Sequence, residues 1–269
     1  MSSFHQFAVL TSEKPLYIVA DVHLGSQILE RQEPLEASII RFLEMIADED
    51  ADLLFLGDLF DAWVEYPKHT LTHSLDFCEA LQARRARGQR TIFVHGNHDP
   101  WHRNYFEEVL GVERMGDAWI DARFGRTVYF NHGDMAVRSR WKRSVHRLIR
   151  SHLALSLYTG FVPQQLGRRL AERVSRRISS ANINEHLAIR MQEWSLNYLE
   201  RHSTVDAVSV GHAHKAWLIA SSAGVSMNPG AWIVQRCFGR LTAKGLELWD
   251  WVEKEPQCRA FLPWPSSTP

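Results

Sequence analysis

Short apolar runs alternate with longer amphipathic stretches along most of the chain. The apolar runs that have the length of a strand cover residues 17–20, 53–56, 91–94, 127–130 and 207–210. Runs of this length predict buried strands. Stretches with helical character lie between the first of them, at residues 34–48, 70–88 and 101–110. The alternation of strand and helix predicts parallel βαβ units and an α/β fold.

The C-terminal third has a different pattern, in which short apolar stretches are separated by turns. They cover residues 217–220, 225–227, 232–238 and 246–251. This pattern predicts a second, more antiparallel sheet, and therefore a two-sheet sandwich flanked by helices. Residues 263–269 are rich in proline and serine, and we expect this terminus to be frayed.

Residues 136–202 break the alternation, because they contain no clear strand and are typical of several helices with a hinge near residues 160–163. Arginines far outnumber acidic residues here, and apolar side chains are interspersed among them. We predict a core formed by residues 1–135 and 203–269, and a basic amphipathic helical insertion, the cap, formed by residues 136–202. The alternative is a helical hairpin that packs on the sandwich and whose arginines are only solvated.

Composition sets limits on the environment and partners. The 269 residues carry no formal net charge, which excludes a global attraction to nucleic acid or membranes. Three cysteines without metal-like spacing indicate a reducing compartment. The N-terminus lacks the pattern of a signal peptide, and no apolar run approaches the roughly 18 residues of a spanning helix. We expect a cytoplasmic protein, either soluble or peripheral on the inner face of the membrane.

Metal-binding types of residue follow almost every predicted strand. They occur in five short motifs, which are Asp21-Val22-His23, Gly57-Asp58, Gly96-Asn97-His98-Asp99, His132-Gly133-Asp134 and Gly211-His212-Ala213-His214. Each motif alone is more often a turn than a metal site. In open α/β sheets, however, the loops at the carboxyl ends of the strands converge on one crevice. We therefore expect these side chains to lie together.

The chemistry of these side chains indicates a pair of metal ions. The candidate ligands are Asp21, His23, Asp58, Asn97, His132, His212 and His214. Carboxylates, an amide and imidazoles without a thiolate suit Mn, Fe, Mg or Zn. Seven ligands exceed the three or four of a single zinc site, and Asp58 can bridge two ions with its two oxygens. Two metals about 3.5–4 Å apart promote displacement at phosphorus, which predicts hydrolysis of a phosphate ester or anhydride.

The five motifs, in this order, resemble those of the calcineurin-like metallophosphoesterases. The resemblance implies a two-sheet sandwich flanked by helices, an αββα arrangement, with a helical insertion as cap. It implies one metal held by Asp21, His23, Asp58 and His214, and a second held by Asp58, Asn97, His132 and His212. It also implies catalytic roles for Asn97, His98 and Asp99. His98 would contact the substrate phosphate and protonate the leaving oxygen, and Asp99 would accept the second N–H of His98.

A closer resemblance is to the UDP-2,3-diacylglucosamine hydrolases of lipid A assembly. It is carried by residues 18–24, 56–63, 95–97, 132–134 and 211–214, with the basic insertion before the last motif. It implies hydrolysis of the pyrophosphate of UDP-2,3-diacylglucosamine to UMP and a lipid monophosphate, with two Mn²⁺ ions, or with Fe or Zn. The substrate contacts expected from this resemblance are Phe60, Trp63, Trp141, Arg173, Arg176 and Arg177.

The chain departs from this closer family at His98 and in residues 135–141, where the family often has a stretch that resembles Cys-Thr-Asp. Many members carry arginine where this chain has His98, so the substrate stays open. The expected partner is an anionic amphiphilic or nucleotide-linked substrate, with the inner-membrane surface as a further candidate and no obligate protein partner. The alternative function is a phosphodiesterase or nuclease that acts on soluble nucleotides or nucleic acid, although nucleic acid is not the expected ligand. A scaffold without activity is a third hypothesis, but it gives no reason to keep every ligand.

Overall fold

The computed structural model describes residues 11–26, 34–67, 74–178, 183–252 and 255–265. The strands of these residues are β1 (Thr11–Ser12), β2 (Leu16–Val19), β3 (Asp52–Leu56), β4 (Thr91–Val94), β5 (Val112–Arg114), β6 (Ala118–Arg123), β7 (Arg126–Asn131), β8 (Ala207–Val210), β9 (Trp217–Ser221), β10 (Gly224–Asn228), β11 (Cys237–Thr242), β12 (Gly245–Val252) and β13 (Glu255–Pro263). The helices are α1 (Leu35–Met45), α2 (Leu75–Ala86), a π-helix (Phe106–Leu110), α3 (Arg140–Ile149), α4 (His152–Phe161), α5 (Gln164–Ile178), α6 (Glu185–Arg201) and α7 (Trp232–Gln235).

The strands form two sheets. The larger has the order β13-β12-β11-β2-β3-β4-β5, and the smaller has the order β1-β6-β7-β8-β10-β9. Strands β2 to β5 are parallel to one another, as the alternation of strand and helix predicts. In the smaller sheet, β7 and β8 are also parallel. The carboxyl ends of β2, β3, β4, β7 and β8 carry the loops that hold the predicted site.

The alternation of side chains along β2 shows how the layers are stacked. Tyr17 and Val19 lie in one core cluster, which they share with Phe42 of α1 and with Phe77 of α2. Leu16 and Ile18 point to the other face, as the period of two in a strand requires, and lie in the cluster between the two sheets. A third cluster buries the outer face of β8 under α6. The molecule is therefore a two-sheet sandwich with helices on both outer faces, which confirms the predicted fold class.

The C-terminal third does not form the second sheet by itself, so that part of the prediction is wrong. Strands β9 and β10 belong to the smaller sheet, whereas β11, β12 and β13 extend the larger sheet beside β2. Both groups do pair in antiparallel fashion within themselves, as their spacing indicates. Apolar periodicity identifies a strand, but it carries no information about which distant strand becomes its neighbour.

The stretch predicted as a strand at 232–238 is divided between a helical turn and a strand. The helical turn is α7, and β11 begins only at Cys237. The N–H groups of Trp232 and Ile233 donate to the carbonyl oxygens of Ala20 and Asp21. These hydrogen bonds attach the turn to the loop that follows β2. A short apolar run suits a buried helical turn as well as a buried strand, and tertiary contacts decide here.

Helices fill residues 136–202, but they have two different positions. Helix α6 buries Ala188, Met191 and Leu199 against β8 and β10, and is a flanking helix of the smaller sheet. Helices α3, α4 and α5 have only a few contacts with one another and expose many apolar side chains. Below, the name cap refers only to these three helices and excludes α6. The boundaries at 136 and 202 stay a prediction.

Candidate functional site

Five loops bring the predicted ligands together at the carboxyl ends of the strands. The backbone is unusual there, because a left-handed conformation occurs at five non-glycine ligands. These are Asp21, His23, Asp58, His212 and His214, with φ between 49° and 62°. Such conformations cost energy outside glycine and are concentrated at functional sites. The rest of the fold therefore holds the ligand backbone in place.

The side chains form two groups that could each hold an ion. The first group consists of Asp21, His23 and His214, and the second of Asp58, His132 and His212, with the donor atoms of each group within 4.8 Å of one another. Asp58 connects the groups. Its Oδ2 lies 3.2 Å from Nε2 of His132 and 3.8 Å from Nε2 of His23. A carboxylate in this position can serve two ions.

Several buried donor atoms of the site have no hydrogen-bond partner among the described residues. They are Oδ1 of Asp21, Nε2 of His23, Oδ1 of Asn97 and Nε2 of His132. A buried polar atom without a partner is costly and needs an explanation. Oxygen atoms and imidazole nitrogens that converge on one place are what a divalent ion requires. The residues present therefore fit the pair of metals that their types predict.

Hydrogen bonds on the far side of two rings turn the ligand nitrogens inward. Nδ1 of His132 lies 2.9 Å from the carbonyl oxygen of Leu56, and Nδ1 of His23 lies 3.3 Å from Oδ1 of Asp61. A ring that donates from Nδ1 presents the lone pair of Nε2 to a metal. The role of Asp61 was missed in the sequence. The signal was present in the motif of residues 57–63, where Asp61 is the second acidic residue.

The electrostatics of the site favour ionised carboxylates. Burial by itself raises the pKa of Asp58, but His132 and His98 outweigh it and hold that pKa well below its usual range. The pKa of Asp21 is also lowered, because His214 and His132 outweigh its burial. Burial by itself lowers the pKa of His132, but the negative charges of Asp58 and Asp21 outweigh burial and raise that pKa. Both buried carboxylates are therefore in the ionised form that binds cations.

Two glycines allow the loops to approach this closely. A Cβ atom at Gly57 would lie 2.3 Å from Nδ1 of His132, and one at Gly96 would lie 2.0 Å from Oδ1 of Asp58. Gly57 also has a φ of 82°, which favours glycine. Any side chain at either position would push a ligand away from its place.

His98 lies beside the ligands and is held from its Nδ1 side. Its backbone N–H donates to Oδ1 of Asp58 over 2.8 Å, and its Nδ1 lies 2.9 Å from the carbonyl oxygen of Asp61. The prediction that Asp99 accepts from His98 disagrees with this geometry. Asp99 is buried and accepts backbone N–H groups from Leu59, Phe60 and Gly96. It therefore fixes the loops, since main-chain donors of the neighbouring turn reach its carboxylate first.

A family model described as calcineurin-like phosphoesterase matches residues 14–216. The chain belongs to the calcineurin-like phosphoesterase family. The match confirms the prediction of a hydrolase of this class, and the family implies divalent metals.

Relatives of this phosphoesterase give a narrower comparison. A UDP-2,3-diacylglucosamine hydrolase from Porphyromonas gingivalis is 30% identical over 218 residues, which cover 74% of this chain and 82% of that protein. A protein of the same name from Escherichia coli is 28% identical over 242 residues, which cover 86% of this chain and 96% of that protein. Among solved structures, Yfce, a phosphoesterase from E. coli, aligns over 93% of this chain and all of that chain, with 15% identity and a TM-score of 0.46.

An apolar cavity of about 420 Å³ opens beside the proposed metal ligands of the phosphoesterase. Asn97 and His98 line the cavity, and the other lining residues come from the core loops and the cap. They include Trp63, Trp101, Ile149, Tyr158 and Leu170. The cavity therefore leads from the reacting centre to the space between the core and the cap.

Arg150, between α3 and α4, attaches the cap of the phosphoesterase to the site. Its guanidinium donates to Oδ2 of Asp134 over 2.7 Å, to the carbonyl oxygen of Gly96 over 2.9 Å and to Oδ1 of Asp117 over 3.2 Å. Nε1 of Trp101 also donates to the carbonyl oxygen of Ile149 over 2.8 Å. These contacts place one end of the cap directly beside the metal ligands. Nothing in the sequence distinguishes Arg150 from the other arginines of the insertion.

The predicted substrate contacts have different positions in the phosphoesterase. Trp63 lines the apolar cavity. Phe60 is fully buried in the core under α2, which corrects the prediction that it contacts substrate, because no surface of its ring is accessible. Trp141 and Arg173 are exposed on the cap and do not line the described cavities. The side chains of Arg176 and Arg177 lie outside the described part of the structure.

Among the described residues, the phosphoesterase has no helix that is both long and apolar enough to cross a bilayer.

Proposed function

We propose that this phosphoesterase hydrolyses the pyrophosphate bond of UDP-2,3-diacylglucosamine and releases UMP and a lipid monophosphate. The observation that carries the proposal is the apolar cavity that begins at Asn97 and His98. An apolar space of this size beside phosphate chemistry suits a substrate whose phosphate is attached to hydrocarbon chains. The names of the relatives at 28–30% identity support the same substrate.

The proposal includes two divalent ions, with Mn²⁺ as the metal. Asp21, His23, Asp58 and His214 would hold one ion, and Asp58, Asn97, His132 and His212 would hold the other. The ions would supply Lewis acidity, which acidifies a water molecule and neutralises charge on the phosphate oxygens. Oxygen and imidazole donors without thiolates suit Mn²⁺, as well as Fe and Zn.

The side chains and the cap perform the remaining steps. In the reaction, the oxygen of water bonds to one phosphorus, and the bridging oxygen leaves with the other phosphate. His98 is placed to donate a proton to that leaving oxygen. Because its Nδ1 is engaged with the carbonyl oxygen of Asp61, the proton must come from Nε2. The cap, which Arg150 holds beside Gly96, limits access of bulk water to the acyl chains.

A comparison of substrates tests the proposed reaction. Mn-loaded protein is incubated with UDP-2,3-diacylglucosamine, UDP-N-acetylglucosamine, a cyclic nucleotide and a single-stranded oligonucleotide, and the release of UMP or nucleotide is measured. We expect kcat/KM for the lipid substrate to exceed that for UDP-N-acetylglucosamine, which has no long acyl chain, by at least about a hundredfold, since each buried CH₂ contributes about 0.8 kcal/mol. Equal rates on both, or faster cleavage of the oligonucleotide, would contradict the proposal.

A variant of the cavity sharpens this comparison. Ala171 lines the apolar cavity on α5. In Ala171→Phe the added ring fills part of the cavity, so KM for the lipid substrate should rise while hydrolysis of a small chromogenic diester is unchanged. A parallel loss on both substrates would indicate general damage to the fold.

The exposed apolar side chains of the cap support a further part of this proposal, which is docking on an anionic bilayer. Phe161 is 83% exposed and Leu153 is 66% exposed, and the exposed arginines of the same helices include Arg147, Arg169 and Arg173. Apolar and basic side chains together are typical of helices that lie at the surface of an anionic membrane. A substrate with two acyl chains resides in such a membrane.

Sedimentation with lipid vesicles tests the docking surface. Wild-type protein should bind vesicles that contain phosphatidylglycerol and bind weakly to pure phosphatidylcholine. The double variant Leu153→Ser, Phe161→Ser should lower the partition coefficient by about tenfold or more, because two apolar side chains no longer enter the interface. Phe261→Ser, at an exposed phenylalanine of β13, is the matched control and should have no effect. Equal losses in both variants would refute a docking role for the cap.

A further inference from the structure

A second groove leaves the metal centre on the side of His212. It consists of two adjoining cavities of about 390 and 500 Å³, which share the lining residues Val137, Arg138, Ser139 and Arg190. Asp134 and His212 complete the first cavity, and Trp194 lines the second. We call this space the α6 groove, since Arg190 and Trp194 belong to α6. It shares no lining residue with the apolar cavity beside His98.

Two arginines of the α6 groove are each held by a hydrogen bond to a carbonyl oxygen, and each keeps further N–H donors for a ligand. The guanidinium of Arg138 donates from Nε to the carbonyl oxygen of Asp134 over 2.9 Å, and that of Arg190 donates to the carbonyl oxygen of Val137 over 2.8 Å. Neither guanidinium forms an ion pair with a carboxylate of the described residues. An arginine has five N–H donors, so most of the donors on each remain for a ligand. Planar guanidinium groups bind phosphate well.

The far end of the groove has a different chemistry. Trp194 is half-buried and Glu193 and Asn197 are exposed there. An aromatic face beside acceptors and an amide suits a nucleobase and the hydroxyls of a sugar, which stack and form hydrogen bonds. Acyl chains do not suit this end, since charged and amide groups would lose water without gaining partners. The end of the groove at His212 therefore suits a phosphate, and the end at Trp194 suits a nucleoside.

We infer that the α6 groove binds the nucleotide half of the substrate, with its phosphate toward His212, Arg138 and Arg190 and its base toward Trp194. This inference rests on the proposed function, because it assigns the two halves of one pyrophosphate substrate to two different cavities. The lipid half occupies the apolar cavity on the side of Asn97 and His98. The pyrophosphate lies between them at the metal ligands. After hydrolysis, UMP leaves through the α6 groove.

Binding of UMP to Mn-loaded protein, measured by calorimetry, tests the arginines. Arg190→Gln and Arg138→Gln should each weaken binding of UMP by about tenfold, which is the usual effect of losing one charged hydrogen bond to phosphate. Arg201→Gln is the matched control, because Arg201 is an exposed arginine of the same helix and lines none of the described cavities. It should change the dissociation constant by less than about twofold. An unchanged constant in both groove variants would overturn the inference.

A second measurement tests the position of the base. In Trp194→Leu, binding of UMP should weaken by about tenfold, whereas binding of ribose 5-phosphate should stay within about twofold, since only UMP has a base to stack. Trp194 also packs near Tyr129 and Tyr198, so a structural defect would weaken both ligands alike. Equal losses for UMP and ribose 5-phosphate would contradict the placement of the base.

The outcomes separate this inference from the proposed function. Hydrolysis of the lipid substrate, together with UMP binding that is insensitive to Arg138, Arg190 and Trp194, would refute the groove and leave the function intact. Failure to hydrolyse the lipid substrate, together with UMP binding that depends on these residues, would support the groove and refute the lipid part of the function.

Discussion

Asp58→Ala is expected to lower hydrolysis by at least about a thousandfold and to reduce the metal content of the protein. Asp58 is buried, its Oδ2 lies 3.2 Å from Nε2 of His132 and 3.8 Å from Nε2 of His23, and it is the carboxylate closest to both groups of ligands. Its removal would leave each ion with one ligand fewer and would deprive the backbone N–H of His98 of its acceptor. Positioned metal ions account for a large part of catalysis in such sites, which sets the size of the effect.

Elemental analysis and a chromogenic diester assay measure the two effects of Asp58→Ala separately. Metal per chain should fall from about two ions to one or fewer after gel filtration in metal-free buffer. Asp76→Ala, at an exposed carboxylate in the first turn of α2, is the control and should keep both ions and full activity. Retention of two ions per chain by Asp58→Ala would show that Asp58 does not bridge.

His98→Ala should retain the metal and slow hydrolysis by about 10²–10⁴-fold, which is the usual contribution of a general acid. The ring lies against that of His23, with centroids 4.7 Å apart, and lines the apolar cavity, but it does not belong to either of the two proposed ligand sets. The loss should be larger for substrates with poor leaving groups, since these depend most on a donated proton. Metal content, kcat and the dependence on the leaving group are the measurements.

Two variants define what the loss in His98→Ala means. His98→Arg keeps a positive donor near the phosphate but cannot give up its proton, because arginine stays protonated in proteins. It should restore binding of substrate more than kcat. Full activity of His98→Arg would show that this position binds phosphate and does not act as an acid. His186→Ala, at an exposed histidine of α6, should behave as wild type.

The proposed metal ligands follow strands, as the sequence predicts, and there is a physical reason. Strands β2, β3 and β4 are apolar over most of their length, as strands buried on both faces are, so the polar residue that follows each strand is conspicuous. Parallel strands place these ends at one edge. The sequence alone therefore assigns the motifs at Asp58 and Asn97 to one crevice.

Other features depended on contacts that no local pattern records. The partners of β11 and β9 are chosen by long-range pairing, which explains why the division of the C-terminal third was predicted incorrectly. The resemblance to the family assigned Asp99 to His98, but buried main-chain donors of Leu59 and Phe60 reach Asp99 instead. In the sequence Arg150 resembles every other arginine of the basic insertion, because only the fold brings its carboxylate partners to it.

Asn228 holds a loop of the candidate site through contacts that the sequence does not reveal. It is buried, donates from Nδ2 to the carbonyl oxygen of Gly211 over 2.8 Å, and accepts the N–H of Gly230 through Oδ1 over 2.8 Å. It thereby fixes the loop that precedes His212. Asparagine followed by proline and glycine forms turns in many contexts, so residues 228–230 do not reveal this role from the sequence alone.

The left-handed backbone at five of the seven proposed ligands limits how this centre can be altered. Aspartate and histidine are among the few residues that tolerate this conformation and also donate to metals. Replacing Asp58 by glutamate would preserve the carboxylate but place a longer side chain on a φ of 49° that suits it less well. Engineers who wish to change the metal preference of this enzyme should therefore begin at Asn97 and His132, where the main chain imposes no such restriction.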